Sequence, residues 1–578
     1  MKKENFLWTA VKIGLLGGAI TIYLCLVGMV EVFNKRDVIT DVITLGQFIL
    51  LATVLITGFM AARRTSNISG KNRPLYELTA GLIAGLITGF VLGLFTYIGT
   101  QINLRAIFIT ASPGLYDILT FGKGEGFVWI WLAIGVVGGL IGGAYLLLPL
   151  TFRRPITTAL LVVFLMSLFA GLFRVVMINQ KGSVEKAARY FFGQTGLTVE
   201  GALILFFSVA IISFLWGARG RQVQARVAGL PKSGKLTLRW VAILLILFIA
   251  LGLPRVSGPF IAQVIVTVIL FTLMGLGLNI TLGFAGLLDL GFVAFYAIGA
   301  YTVGLLTSYG GFGLQHIPFW VAAPIAVLVA MAAGFVLGLP VLGIRGDYLA
   351  IATLGFGEIV RLLAGSDFLA KYFGGPQGVI GIQKPCIGFL EPFVKVDVPR
   401  VCNGFELSTV QTIYYLALIS VIVFAFAAWR LRESRLGRAW MAIREDEDVA
   451  EALGVNLIQT KLLAYMLGAA FAGLGGAIFA TLIGSIFASS MQLIVSINVV
   501  ALIVVGGMGS IPGVIVGAIA LIGLPELLRE VSEFRYLFYG AALIVMMILK
   551  PEGLWPSRAA KRELHHADAE NISAEGMV

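Results

Sequence analysis

The sequence is short of charge, histidine and cysteine. Charged residues make up 12% of its 578 positions, about half of what a soluble globular chain carries. The three histidines are His316, His565 and His566, and the three cysteines are Cys25, Cys386 and Cys402. No CxxC pair and no Cys/His cluster points to a metal or haem, so neither a metal site nor a cofactor is expected. No cluster of nucleophile and base stands out either, which removes the usual grounds for an enzyme. What fills the space is apolar: 59% of residues are of hydrophobic type, and mean hydropathy is +0.97. Such a chain is an integral membrane protein, with the bilayer as its first partner. Strands of a lipid-facing barrel would alternate polar and apolar residues, and that alternation is missing. The fold class is therefore all-α, a polytopic helical membrane protein. The formal charge of +12 comes from Lys and Arg in short loops between apolar segments, the pattern of cytoplasmic loops, and no nucleic-acid partner is expected.

Apolar segments long enough to cross a bilayer fall near 8–30, 38–62, 75–100, 127–150, 155–178, 199–217, 240–258, 259–281, 290–307, 318–342, 347–364, 411–429, 461–485, 490–507, 511–528 and 535–549, about sixteen in all. The first, after a Met-Lys-Lys start, resembles a signal peptide, but its apolar run is long and Glu31 follows it, so it reads as an uncleaved span. With Lys2 and Lys3 inside, the loops bearing Arg63 and Arg64, Arg153 and Arg154, Arg345, and the stretch 430–448 all fall inside, and both termini are cytoplasmic. Four parts follow: a six-span unit over 1–217 of unknown role, a basic cytoplasmic linker over 218–239, a ten-span core over 240–550, and a polar cytoplasmic tail over 551–578. In the linker, GLPKSGKL resembles a phosphate-binding loop, but Leu236 stands where a magnesium-binding hydroxyl is needed. If ATP drives this protein, another chain binds it. The longest polar stretch outside is 365–410; it holds Cys386 and Cys402, and its export favours a bridge between them over two free thiols.

Two apolar stretches are interrupted. In GLNITLGFAGLLDLGFVAFYAIGAYTVGLL, Asn279, Gly283, Gly286 and Asp289 break the run. In INVVALIVVGGMGSIPGVIVGAIALIGLPELL, Gly506, Gly507 and Gly509 precede Pro512 and Gly513. Broken spans in comparable positions of two halves mark a transporter's substrate path; ordinary tight turns, with Asp289 as a helix cap, are the alternative. Glu358 is a further pathway candidate, and Arg361, three residues on, can pair with it on one helix face. The segment RLRESRLGRAWMAIREDEDVAEALGVN is basic, then acidic. Its end reads as a short amphipathic helix with Val449, Ala452 and Leu453 on one face, closed by Gly454, and such a helix suits a groove on a partner.

Four stretches, GLNITLGFAGLLDLGFVAFYAIGAYTVGLL, GIRGDYLAIATLGFGEIVRLL, SRLGRAWMAIREDEDVAEALGVN and VGGMGSIPGVIVGA, resemble in the same order the permease subunit of branched-chain amino acid ABC transporters, of the LivM type, over residues 265–550. The resemblance implies an ABC importer permease core in a bacterial inner membrane, without an ATPase site of its own. It implies that Glu447, Asp448, Ala450, Glu451, Ala452, Gly454 and Asn456 form the segment that seats on the ATP-binding subunit. It also implies a second permease of the LivH type, two cytosolic ATP-binding subunits and a periplasmic substrate-binding protein. The substrate class is branched-chain or other hydrophobic amino acids, with urea or short amides, carried by related permeases, as the alternative. An ion-coupled secondary transporter is the rival mechanism; it usually buries acids or histidines along an ion path, whereas most acids here lie near span ends. The six-span unit over 1–217 departs from the family pattern.

Overall fold

A computed structural model describes residues 6–65, 73–121, 126–178, 182–229, 231–311, 313, 317–341, 346–390, 402–527, 540, 543–544, 546, 550 and 552–556. Among these, twelve helices are long and apolar enough to cross a membrane, and two shorter apolar helices cover Val293–Thr307 and Ile511–Leu527. The chain is a multi-pass helical membrane protein. The difference from about sixteen has plain causes. The stretches 240–258 and 259–281 join in one helical run, 290–307 and 511–528 are the two shorter helices, and 535–549 lies largely outside the described residues. His316, Arg345 and most of the tail also lie outside them.

The chain divides into two compact units, at Ile246 and Leu247. The first contains α1 (Phe6–Leu26), α2 (Leu45–Thr65), α3 (Arg73–Gln101), α4 (Phe127–Leu147), α5 (Leu150–Leu168) and α6 (Val199–Ala228). Here α3 and α4 approach closely because Gly85 faces Gly135 and Gly139; a Cβ on Gly85 would strike the Gly135 carbonyl. Small residues allow such contact where lipid offers no hydrophobic drive between helices. The expected linker over 218–239 is mostly helical, since α6 runs to Ala228 and α7 (Lys232–Leu278) begins after Pro231. Its Arg, Gln and Ala residues are good helix formers, and proline sits well at a helix start.

In the second unit α7 is kinked at Gly258, whose φ of 81° is left-handed, before Pro259. There follow α8 (Val293–Thr307), α9 (Phe319–Val341), α10 (Asp347–Gly365), α11 (Val410–Glu433), α12 (Arg435–Glu445), α13 (Glu447–Ala452), α14 (Leu457–Ile483), α15 (Leu493–Gly506) and α16 (Ile511–Ala518). The centre is α14, which packs against α8 and α9. Gly299 and Gly476 bring α8 and α14 together: a Cβ on Gly299 would meet the Gly473 carbonyl, and one on Gly476 the Tyr296 carbonyl. Short ribbons close one end. Val379–Ile380 (β1) pairs antiparallel with Ser485–Ile486 (β4), and Cys386–Leu390 (β2) with Cys402–Glu406 (β3). Cys386 and Cys402 are disulfide-bonded, Cα to Cα 5.9 Å. Trp320 Nε1 donates to the Cys386 carbonyl at 2.6 Å. Lys384 Nζ donates to the Leu482 carbonyl at 2.9 Å and also to that of Thr481, so a cation caps the carboxyl end of α14. Burial lowers the pKa of this ammonium.

Candidate functional site: two interrupted helices and an elbow

The first interruption begins where α7 ends. Residues Asn279–Phe284 wind as a π-helix, a form that recurs at functional sites. Gly286 then turns with φ 74°, and the chain reaches α8. The second interruption follows α15: Gly507 and Gly509 have φ of 117° and 74°. Ser510 caps α16, its hydroxyl accepting from Gly513 N at 3.1 Å. Side chains with a Cβ adopt neither conformation readily.

The two interruptions meet. Asn279 is 1% exposed, and its Oδ1 accepts from Gly509 N at 2.9 Å, across 230 positions of sequence. Gly283 makes room for this contact: a Cβ there would lie 2.8 Å from Gly509 N and strike Asn279 Oδ1. Asn279 Nδ2 is buried and has no hydrogen-bond partner among the described residues. Irregular backbone at membrane depth survives only when protein covers it or water reaches it. Here the Asn279 amide and Gly509 supply part of that cover. Gly506 packs on Gly513, and Trp555 N donates to the Gly506 carbonyl at 2.9 Å.

Asp289 does not join that contact. It is 1% exposed, and its Oδ1 accepts from Gly291 N at 2.9 Å, two residues on. The next residue ties the turn to α10: Leu290 N donates to Thr353 Oγ1 at 3.1 Å. Glu358 lies further along α10, where Arg361 Nε donates to both its carboxylate oxygens at 3.0 Å. The Glu358 side chain is 39% exposed, and its described bonds go to Arg361 rather than to Asn279 or Asp289.

The elbow is built from α12, α13 and the start of α14. Asp446 caps α13, accepting from Asp448 N at 2.9 Å and Val449 N at 3.0 Å. Gly454, with φ 86°, ends the helix, and Asn456 caps α14 by accepting from Gln459 N at 3.0 Å. Ala450 faces inward, whereas Glu451, Ala452 and Leu453 are exposed, Leu453 at 78%. Asp448 is exposed as well, and Glu447 is half-buried. Glu447 Oε1 bonds Lys461 Nζ at 2.7 Å, pinning α13 to α14. A groove of about 590 Å³ opens beside it, lined by Glu447, Glu451, Asn456, Leu457, Ile458 and Lys461 among others.

One bond joins the elbow to the interruption. Arg444, in the last turn of α12, donates from Nη1 to the Gly283 carbonyl at 2.7 Å, and a Cβ on Gly286 would lie 3.0 Å from Arg444 Cγ. Neither Arg444 nor Lys461 stands out in the sequence as a site residue. Each carries a signal all the same: Arg444 is the last cation before the acidic run, and Lys461 stands at the start of an apolar span. Ser496 has no such signal; its buried Oγ accepts from Val293 N at 2.9 Å, tying α15 to the start of α8.

Interrupted spans bonded to each other inside a polytopic helical protein define the class of transport permeases. Comparison with known families agrees. Residues 260–548 match the model of the branched-chain amino acid transport system permease component, and the chain belongs to that family. It is 39% identical over 340 residues to the high-affinity branched-chain amino acid transport system permease protein LivM of Escherichia coli K12, covering 56% of this chain and 78% of that protein. It is 24% identical over 297 residues to LivH of Salmonella typhimurium, covering 49% and 90%. A probable LivM of Methanocaldococcus jannaschii is 21% identical over 346 residues, covering 50% and 91%. No solved structure matches the chain. The family model begins after the first compact unit ends.

Proposed function

We propose that the chain is the LivM-type subunit of an inner-membrane ABC importer for branched-chain or related hydrophobic amino acids. In this reading it works beside a second permease of the LivH type, two cytosolic ATP-binding subunits and a periplasmic binding protein, and both its termini are cytoplasmic. It carries no ATPase site. The observation that carries the reading is the bond from Arg444 to the Gly283 carbonyl. An ATPase that displaces the elbow pulls on Arg444, and Arg444 holds a carbonyl inside the first interrupted span. The Asn279–Gly509 bond passes the displacement to the second. The exposed face with Val449 and Leu453 is the docking surface for the ATPase. The pinned pair Glu447–Lys461 makes the elbow move as one piece. The unpartnered Asn279 Nδ2 offers a donor to a polar group in transit. The disulfide-closed ribbon of β2 and β3 belongs to the outside face, where a binding protein docks.

The test is Arg444→Ala in the reconstituted complex. Hydrogen bonds to charged donors are worth about 1.5–3 kcal/mol, so uptake falls by roughly tenfold or more while ATP hydrolysis continues. Wild-type uptake by this variant would sink the proposal. Uptake driven by an ion gradient in vesicles without nucleotide would instead assign the chain to the ion-coupled transporters.

A further inference from the structure

The amino-terminal unit falls outside the family match, and it holds a groove of about 800 Å³ between the end of α4, the start of α5 and the end of the apolar part of α6. Its lining includes Tyr145, Thr151, Arg153, Arg154, Phe214 and Trp216, and no carboxylate is among the described residues that line it. The Arg153 guanidinium stacks over the Tyr145 ring, 5.5 Å from its centroid. Thr157 and Thr158 donate their hydroxyl protons to the carbonyls of Arg153 and Arg154 at 2.6 and 2.8 Å. Phe214, in the lining, stacks on Phe152, ring centroids 6.0 Å apart. Trp216 is 63% exposed, as an aromatic residue of a membrane–water interface is.

The walls of the groove continue along α5 and α6, which pack against each other. These helices are the least covered of the twelve candidate spans, 17% and 11% buried. They expose Leu160, Leu161, Phe207, Ile211 and Ile212. The surface therefore has two guanidinium groups at its head that no described carboxylate in the groove compensates, and a long apolar track beneath them. A free anion satisfies only the head, and an acidic peptide has no use for the track. An amphiphile with an anionic head and apolar tails satisfies both.

We infer that this groove is a binding site for an anionic phospholipid, its phosphate held by Arg153 and Arg154 and its acyl chains laid along α5 and α6. Guanidinium forks suit phosphate oxygens geometrically as well as by charge. By the distribution of basic loops the site faces the cytoplasmic leaflet. It gives the amino-terminal unit a task separate from the transport path: to fix the chain to one class of lipid.

The full chain, reconstituted in nanodiscs of phosphatidylcholine with a minor share of phosphatidylglycerol, is released gently and its retained lipid identified by native mass spectrometry. The wild type retains phosphatidylglycerol above its bulk share. Arg153→Gln with Arg154→Gln lowers that enrichment by roughly thirtyfold, at about 1 kcal/mol per basic residue near an anionic surface. Arg153→Lys with Arg154→Lys keeps the charge but loses the fork and the stack on Tyr145, so its enrichment falls between the wild type and the glutamine pair. Lys232→Gln with Lys235→Gln, which removes equal charge elsewhere in the unit, leaves it unchanged. Each variant is first checked for the wild-type melting temperature, so that lost retention is not lost fold. Equal enrichment in the wild type and the glutamine pair overturns the site, as does an equal loss in the Lys232/Lys235 control. Displacement of the lipid by millimolar inorganic phosphate overturns it too, since the groove would then be a site for a free anion.

Discussion

Asn279 and Gly283 set a demand that a single methyl group breaks. Gly283 has no space for a methyl group between Asn279 Oδ1 and Gly509 N, so Gly283→Ala breaks the contact between the interruptions. A Cβ on Gly355, in α10, would meet nothing within 4 Å, and alanine there gains about 1 kcal/mol of helix propensity. Uptake assays should find Gly283→Ala inactive and Gly355→Ala close to wild type. Asn279→Leu removes the acceptor and leaves the Gly509 N–H buried and unpaired, at about 1–3 kcal/mol. A thermal shift of the purified protein reads that loss directly, and an unchanged melting temperature would show that the bond contributes nothing. The glycines and the lone amide are legible in the sequence, because they stand out against an apolar run. Their pairing is not: a contact between residues 279 and 509 leaves no local period to read. Asp289 reads in the sequence as a helix cap; in the structure its Oδ1 accepts from Gly291 N in the turn before α8, and the first N–H of α8, Val293 N, goes to Ser496 Oγ instead.

Among elements, the long helices follow from hydropathy, since a backbone in lipid must bond within itself. The short ones are set by different rules. Helix α13 is six residues long and would not hold alone; its Asp446 cap, the Gly454 terminator and the Glu447–Lys461 pair hold it. The cap and terminator are visible in the order of residues. The pair is not, because Glu447 reads as a docking acid while Lys461 reads as part of a span. The pair makes a charge reversal at Glu447 costly. Glu447→Lys sets two ammonium groups against each other, with Lys461 almost wholly buried, and breaking such a pair costs about 3 kcal/mol. Stability, measured by denaturation, should drop in Glu447→Lys and return in Glu447→Lys with Lys461→Glu. Leu453→Asp acts differently. It lies on the exposed face, so it leaves the melting temperature unchanged and lowers co-purification of the ATP-binding subunits at least tenfold.

For the whole molecule, hydropathy and the placement of basic residues predict a six-span unit followed by a ten-span one, and the structure's two compact units part at Leu247. Each unit has its own buried apolar clusters, one around Leu273, Phe292 and Leu502, another around Leu92, Leu115 and Trp131. What hydropathy leaves open is which side each loop faces, since apolar segments read the same in both directions. Two features expected on opposite sides supply the test. The Cys386–Cys402 bridge closes a loop of 16 residues, worth about 3 kcal/mol if chain entropy governs it, and it belongs in an oxidising compartment. The elbow must face the cytosol to meet an ATPase. Chain denatured without reductant should therefore show one free thiol, that of the buried Cys25, and reductant should raise the count to all three. In intact cells, with Cys25→Ser as background, a cysteine at Leu453 should resist an impermeant maleimide until the membrane is opened, while one at the exposed Phe405, beside the bridge, should react at once. Labelling of the Leu453 cysteine from outside, with the membrane intact, would rule out an elbow driven from the cytosol, because the ribbon and the elbow would then share a compartment and no cytosolic ATPase could push one against a binding protein seated on the other.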